Sequence, residues 1–477
     1  VRPPRVRWMA AALATLLLSG AVLAGRAAVR RTTVLAGIPA RPDLSALPPE
    51  MASEVDSSEA FARSYLHSVS GLEALSRLYH ANGFYNEALA CYRTLRRLEP
   101  REGRWPHLEA NILAQFGLLD RALPREQEAV SLSPDYLPAR LRLADEQLKL
   151  NKTADAARGY GDALSRSPDN PYALLGLAKC DILAGKWAEA RDRLVESQKL
   201  NPDFIGGLST LAAVYEHLGN QKEADDVKNV IGRREFKDLA DPWVDDLMDD
   251  CFDSYRLSVA AAVTGLSGNR PKAEQMLERA IAFAPTSSAF HRQLAVMLTH
   301  DGDFPAAVGH LQRAVALSPT DNDAWVALYQ ALNIMHQTGP AQDALRSGLA
   351  NCPDSASLHI ENAQRLNEAG DKDGAVTEYR YAYRLNPSEV GPLIQLANIL
   401  FSQSKGDEAL AALNEALDKQ PENPQVIATL AYYYINAGNQ ALALQWWGHV
   451  RRQPRVPPEM VQSLRQAYRQ RFGGELD

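Results

Sequence analysis

Apolar residues along the chain recur at spacings of three and four, in stretches of about a dozen residues broken by glycine. That is the signature of short amphipathic helices rather than of strands. Punctuation marks repeat with the same regularity. Prolines stand 34 residues apart at Pro100, Pro134, Pro168 and Pro202, and again at Pro285, Pro319, Pro353, Pro387 and Pro421. Twelve residues before each lies an alanine, from Ala88 to Ala409, and the frame extends to Ala224 and Ala443, so all eleven units carry it. Twelve residues earlier is a second small residue, from Ser76 and Ala110 to Ala397 and Ala431, with Tyr329 as the one exception. A period of this length marks a stacked repeat and is read before any domain division.

Each unit is predicted to be two helices joined by a turn. Gly83, Gly117, Gly185, Gly219, Gly268, Gly302, Gly370 and Gly438 end the first helix, where a positive φ is wanted. The two alanine series mark the helix crossing, where only small side chains permit close approach. Proline stops the second helix and opens the next unit. One unit cannot bury its apolar stripe alone, so neighbours must stack.

This pattern resembles the tetratricopeptide repeat family, with Ala where that family more often has Gly in the first helix. The resemblance covers residues 69–457 and implies an all-α, right-handed α-solenoid of about eleven 34-residue repeats. The gap from Pro202 to Pro285 is 83 residues instead of 68. The expected organisation is therefore a targeting segment (1–31), a linker and leading helix (32–68), a five-repeat array (69–238), an insertion (239–253), a six-repeat array (254–457) and a cap helix (458–477). In the cap, Val461, Leu464, Ala467, Tyr468 and Phe472 fall at helical spacing. A length of 477 residues suggests about three domains; the repeat replaces that expectation with one interrupted solenoid.

Composition narrows the function. Apolar residues at 46 % and charged residues at 23 % belong to a folded chain and exclude general disorder. A net charge of −7 argues against a general nucleic-acid binder, which needs a basic surface. Four cysteines, none in a C-x-x-C pair, exclude a disulfide scaffold and give no zinc or haem signature. H-E-x-x-H, G-x-S-x-G and the phosphate-loop pattern are absent, and His291 and His300 are not at metal-ligand spacing. No cofactor, metal or catalytic activity is expected.

Charge is concentrated in two segments. Residues 1–31 hold six Arg and no acid, around the uncharged run Trp8–Gly25. That run is just long enough to span a hydrocarbon core. It reads as an uncleaved anchor, with a signal peptide cut after Ala24 or a buried helix as alternatives. The expectation is a single-pass bacterial inner-membrane protein with its soluble part extracytoplasmic, or a secreted protein after cleavage. Residues 37–50 contain four prolines and read as an extended spacer. A helix is predicted from Met51 to Val69, with Phe61, Tyr65 and Val69 on one face.

Residues 239–253 hold six Asp and no base. Asp241-Pro242 reads as a helix start, with Val244, Leu247, Met248 and Phe252 as an apolar face. Aspartates at 241, 245, 249 and 253 would stack along that helix, and such like-charge stacks are unfavourable. Three readings stay open: a solvated face, a docking patch (Asp245, Asp246, Asp249, Asp250, Asp253) for a basic partner or for Arg233, Arg234 and Lys237, and calcium binding without the usual loop spacing.

The resemblance further implies that positions two, five, nine, twelve and thirteen of each unit line a concave face. In the second array these give Gln330, Gln364 and Asn398, then Asn333 and Asn367, with Tyr432 and Asn436 in the last unit. An amide offers both a donor and an acceptor, so such a ladder suits the backbone of an extended peptide. Val296 and Phe401 interrupt it. The first array shows Arg77, Asn111, Asp145 and Lys179 at position nine, with no common theme. The function expected is a membrane-anchored scaffold for other proteins; an accessory subunit of an envelope machine for polysaccharide, pili or cytochrome maturation is the alternative, and a divalent-ion sensor a third reading.

Overall fold

The computed structural model describes residues 23–202, 204–231, 240–266, 268–453 and 456–476. Among them the chain is helical throughout, without strands. It divides into two compact units, Val1–Pro285 and Thr286–Asp477. The division falls one helical pair beyond the insertion.

In the first unit, residues 23–37 form α1 and α2 spans Pro49–Arg63. Five helical pairs follow: α3 (Ser68–Ala81) with α4 (Tyr85–Leu98), α5 (Arg104–Gln115) with α6 (Leu119–Leu132), α7 (Leu137–Lys149) with α8 (Thr153–Arg166), α9 (Pro171–Leu183) with α10 (Trp187–Leu200), and α11 (Ile205–His217) with α12 (Gln221–Ile231). Then come α13 (Pro242–Asp245), a 3-10 turn over Asp246–Asp250, and the pair α14 (Ser254–Leu266) and α15 (Arg270–Phe283). The second unit holds α16 (Ser288–Asp301) with α17 (Phe304–Leu317), α18 (Asn322–Ile334) with α19 (Thr338–Asn351), α20 (Ala356–Glu368) with α21 (Lys372–Leu385), α22 (Gly391–Ser402) with α23 (Gly406–Lys419), and α24 (Pro424–Asn436) with α25 (Gln440–Arg452). It ends in α26 (Pro458–Phe472), which packs on α24.

The repeat chemistry explains the packing. All eleven second-helix alanines, from Ala88 to Ala443, are fully buried. Each helix packs on its partner, and along α3–α12 and along α16–α25 the second helix of one pair packs on the first of the next, as with α4 on α5 and α21 on α22. Tyr329, the large residue in the small series, is buried as well.

The inter-helix turn is uniform, although its sequence is not. All eight turn glycines adopt positive φ, and the three repeats without glycine place Asn151, His336 and Ser404 in the same conformation, with φ of 59°, 58° and 62°. The backbone demand is therefore common to the eleven repeats, and three of them meet it with residues less suited to it. Helix starts are capped locally: Asn269, Asp303, Asp371 and Asn439 accept a backbone N–H before second helices, and Asn170, Asp321, Ser355 and Asn423 before first helices.

One expectation for the N-terminal region changes. The helix predicted to run from Met51 to Val69 stops at Arg63; Ser64 turns the chain, its hydroxyl donating to the Phe61 carbonyl, and α3 begins at Ser68. Phe61 and Tyr65 are consequently exposed. The spacer, without regular secondary structure over residues 38–44, lies between helices that are tied to one another. Val34 of α1 is buried, the Arg31 side chain donates to the Arg63 carbonyl at 2.8 Å, and Arg41 pairs with Asp56. At Gly71, α2 and α3 approach so closely that a Cβ would lie 2.1 Å from the Ala62 nitrogen. The expected membrane run 8–25 lies outside the described residues up to position 22, and among the described residues no helix is long and apolar enough to cross a membrane.

Candidate functional site: the first-helix faces

In the first unit, the face made by α3, α5 and α7 is covered by the insertion. Asp241 anchors it. Its carboxylate is fully buried and accepts from the Tyr136 hydroxyl (2.6 Å) and the Arg142 Nε (2.6 Å), and it lies 3.0 Å from the His107 Nε2. The other ring nitrogen of His107 lies 2.7 Å from Glu126. Trp243 stacks on Tyr136, with ring centroids 3.5 Å apart and planes 11° from parallel, and the Trp243 backbone N–H donates to the Tyr136 hydroxyl. Further along, Arg77 of α3 donates to the Asp250 carboxylate at 2.6 Å and to the Asp246 carbonyl at 2.9 Å. Asn82 grips backbone: its amide donates to the Asp250 carbonyl, and its oxygen accepts from the N–H groups of Phe252 and Asp253. From the other side Arg279 of α15 donates to the carbonyls of Met248, Asp249 and Cys251. Arg256 of α14 donates to the Ala81 carbonyl and the Tyr85 hydroxyl, which ties the pair α14–α15 to the first repeat.

The electrostatics of this cluster follow from burial. Burial opposes charge on His107, but Glu126 and Asp241 outweigh it and raise the ring to about 9. Burial pushes Asp241 up, yet the bonds from His107, Arg142 and Tyr136 prevail and hold it at about 2. Glu126 is raised by burial despite its contact with His107. Glu146 is pushed to about 8, by burial first and by Glu126 second. His107 is thus a buried cation between two carboxylates, and Asp241 supplies one of them from a segment 134 residues away.

The insertion departs from the sequence expectation. One helical turn, Pro242–Asp245, gives way to the 3-10 turn and then to extended backbone at Cys251. The like-charge stack of a continuous helix is thereby avoided. Asp241 makes no side-chain cap; the Asp245 carboxylate accepts from the Asp241 N–H instead. Of the apolar residues, Leu247 is buried and Phe252 packs against Phe283. Of the expected docking patch, Asp245, Asp246 and Asp249 are exposed, Asp250 is paired with Arg77, and Asp253 accepts from the Arg256 N–H at the start of α14. Arg233, Arg234 and Lys237 lie outside the described residues. Sequence reading missed His107, Tyr136, Arg142 and Trp243 as a group. The available signal was His107 at face position five, with Arg142 one position beyond the equivalent site in the next repeat.

The second unit presents its predicted residues differently. Gln330 donates to Glu361 of the next repeat at 2.5 Å, so this amide is engaged within the unit, and Asn333 is half-buried on α18. Gln364 and Asn367 are exposed on α20. Asn398, Tyr432 and Asn436 come together on α22 and α24, around a cavity of about 760 Å³ that also takes in Phe401, Tyr433 and Ser402. Phe401, which interrupts the predicted ladder, is a wall of this cavity, its ring stacked on Tyr433 at 4.1 Å. No charged side chain lines it. An uncharged hollow of amides and aromatic rings suits a neutral chain segment, with ring faces for apolar groups and amides for backbone.

Comparison with known proteins agrees with the repeat reading. Two family models described as tetratricopeptide repeat match the chain, one at residues 147–205 and 366–431, the other at 73–136 and 267–322. The chain carries tetratricopeptide repeats in both units. A plant relative, the "Protein CTR9 homolog" of Arabidopsis thaliana, is 23 % identical over 314 residues, which is 62 % of this chain and 27 % of that protein. The "Cellulose synthase 1 operon protein C" of Komagataeibacter xylinus is 30 % identical over 111 residues, 23 % of this chain and 8 % of the relative. The chain therefore spans about a quarter and under a tenth of the lengths of these two proteins. Among solved structures, yeast Tom70 aligns over 84 % of this chain and 95 % of its own, at 14 % identity and a TM-score of 0.38. A score of that size leaves the roles of that protein with that protein.

Proposed function

We propose that this chain is a non-catalytic, membrane-anchored scaffold whose second unit binds extended segments of partner proteins. The observation that supports it is the uncharged cavity of Asn398, Phe401, Tyr432, Tyr433 and Asn436 on successive first helices. Catalysis needs convergent titratable groups; this cavity offers amide and aromatic recognition instead. Anchoring rests on the sequence of residues 8–25 alone. A photo-crosslinking residue at position 432, in cells, tests the site: adducts with partner segments that vanish in Asn398→Ala/Asn436→Ala, at unchanged helicity, support it. Adducts unaffected by the double variant would refute the cavity, and a hydrolase or transferase activity of purified 51–477 would refute the scaffold. Residence in a carbonate-washed membrane fraction tests the anchor.

A second reading, an accessory subunit of an envelope assembly machine, is favoured by the match to the cellulose synthase operon protein. Under it the crosslinked adduct is one enzyme complex. Diverse adducts point to a general scaffold.

A further inference from the structure

We infer that the α3–α5–α7 face of the first unit is a receptor for acidic segments of a partner protein, and that residues 240–253 are its resident intramolecular ligand. The chemistry it selects is Asp-Pro-aromatic followed by a second aspartate nine residues after the first, as in Asp241, Trp243 and Asp250. This goes beyond the site proposed in the second unit and does not depend on it.

Three observations carry the inference. The face is cationic where the segment is anionic: Arg77, His107 and Arg142 stand on three successive first helices, and they take Asp250 and Asp241. The contacts have the form of recognition rather than of helix packing. Asn82 and Arg279 bond only backbone of the segment, which is sequence-tolerant, whereas the Asp241 pocket and the Tyr136 platform under Trp243 are specific seats. The segment also belongs to no repeat. It leaves the 34-residue frame after the fifth unit, crosses back over the third, second and first repeats, and only then does the frame resume at α14. Repeats stack by nearest-neighbour contact, and this return path follows the face instead.

A tether holds the resident segment at an effective concentration on the order of millimolar. A free peptide of similar affinity therefore competes poorly with the intact chain and enters once the resident is loosened. The full chain, its variant Asp241→Ala/Asp250→Ala, and a fluorescent synthetic peptide of residues 240–253 test this by fluorescence polarisation at low salt. We expect the double variant to bind the peptide at least ten times more tightly than the unaltered chain. That gain should be lost when Arg77→Ala and Arg142→Ala are added, or when the peptide carries Asp241→Asn. Equal binding by the chain and the double variant, or none by a folded double variant, overturns the inference. Should the double variant lose its helical circular dichroism, Trp243→Ala, which keeps every charge, takes its place with the same two outcomes. A concentration-dependent dimer of the unaltered chain that dissociates in the variant would assign the segment to a second copy, and overturns the intramolecular reading.

Discussion

In the first unit the first-helix face carries Arg77, His107 and Arg142 and is covered by residues 240–253, whereas in the second the face carries Asn398, Tyr432 and Asn436 around an open, uncharged cavity. Both faces belong to the same repeat, with the same buried alanines and the same left-handed turn. The difference shows which positions the architecture fixes. Alanine at the crossing and positive φ at the turn are demanded by backbone approach, so they recur. Face positions are demanded by nothing inside the repeat, so they are free to carry charge in one unit and amides and rings in the other. Both rest on apolar packing, such as that of Leu194, Leu208 and Leu211 in the first unit and of Leu393, Leu400 and Leu413 in the second, and the first unit adds a buried ionic cluster.

The largest effect that would sharpen this contrast is expected from His107→Ala. It leaves Glu126 and Asp241 buried without their cation, and removal of one partner from a buried pair costs about 3–5 kcal/mol. Calorimetry should show the first unit unfolding earlier and the second unchanged; a joint shift of both would erase the distinction.

Next is pH. His107 titrates at about 9 in the folded chain against an ordinary 6.5, so its contribution is complete below 6.5 and is lost as pH rises through 9. Around it stand Glu126 from α6, Asp241 from the insertion, Tyr136, Trp243 and Arg142, with Glu146 coupled to both Glu126 and His107. Glu146, at about 8, acts in the same direction: unfolding lets it ionise, which favours the unfolded chain as pH rises above 4.5. Asp241 is lost only on the acid side, as pH falls below 3.8 towards 2. His107 alone should cost the first unit about 3 kcal/mol between pH 6 and 10, and Glu146 should deepen that loss, as read from urea midpoints. A second unit falling in step would break the comparison.

Gly71→Ala should follow, at about 1–3 kcal/mol for overpacking, because its Cβ would meet Ala62 backbone rather than a flexible side chain. Hydrogen exchange should localise the loss to α2; protection unchanged there would contradict the close crossing. The smallest effect should be shared by both units. Asn151→Gly in the first and His336→Gly or Ser404→Gly in the second relieve a left-handed residue that costs about 1 kcal/mol, and each should raise stability by about 0.5–1 kcal/mol. Stabilisation in one unit alone would mean that the turns are not equivalent.

Much of the fold was legible because its rules are local. Helix pairing, the turn and the cap helix follow from spacings within 34 residues. Asn151, His336 and Ser404 were silent gaps in the glycine series, since composition does not report φ. The amide ladder was partly legible. Tyr432, Asn398 and Asn436 do share a cavity, but Gln330 is drawn off by Glu361, which no spacing rule weighs. Phe401 interrupts the amides along the sequence and is a wall of the cavity, because its ring stacks on Tyr433 of the next first helix.

The sequence by itself determined the repeat, its helices and the closeness of their crossings, since a 34-residue period acts through neighbours along the chain. Only the tertiary structure decided what the acidic segment does. Its aspartates could be counted from the sequence, but their partners could not, because His107 lies 134 residues from Asp241 and Arg77 lies 173 from Asp250. Contacts at that separation obey no period. They are settled where charge, burial and the path of the returning chain meet, and there an acidic insertion becomes the counter-ion of a buried histidine.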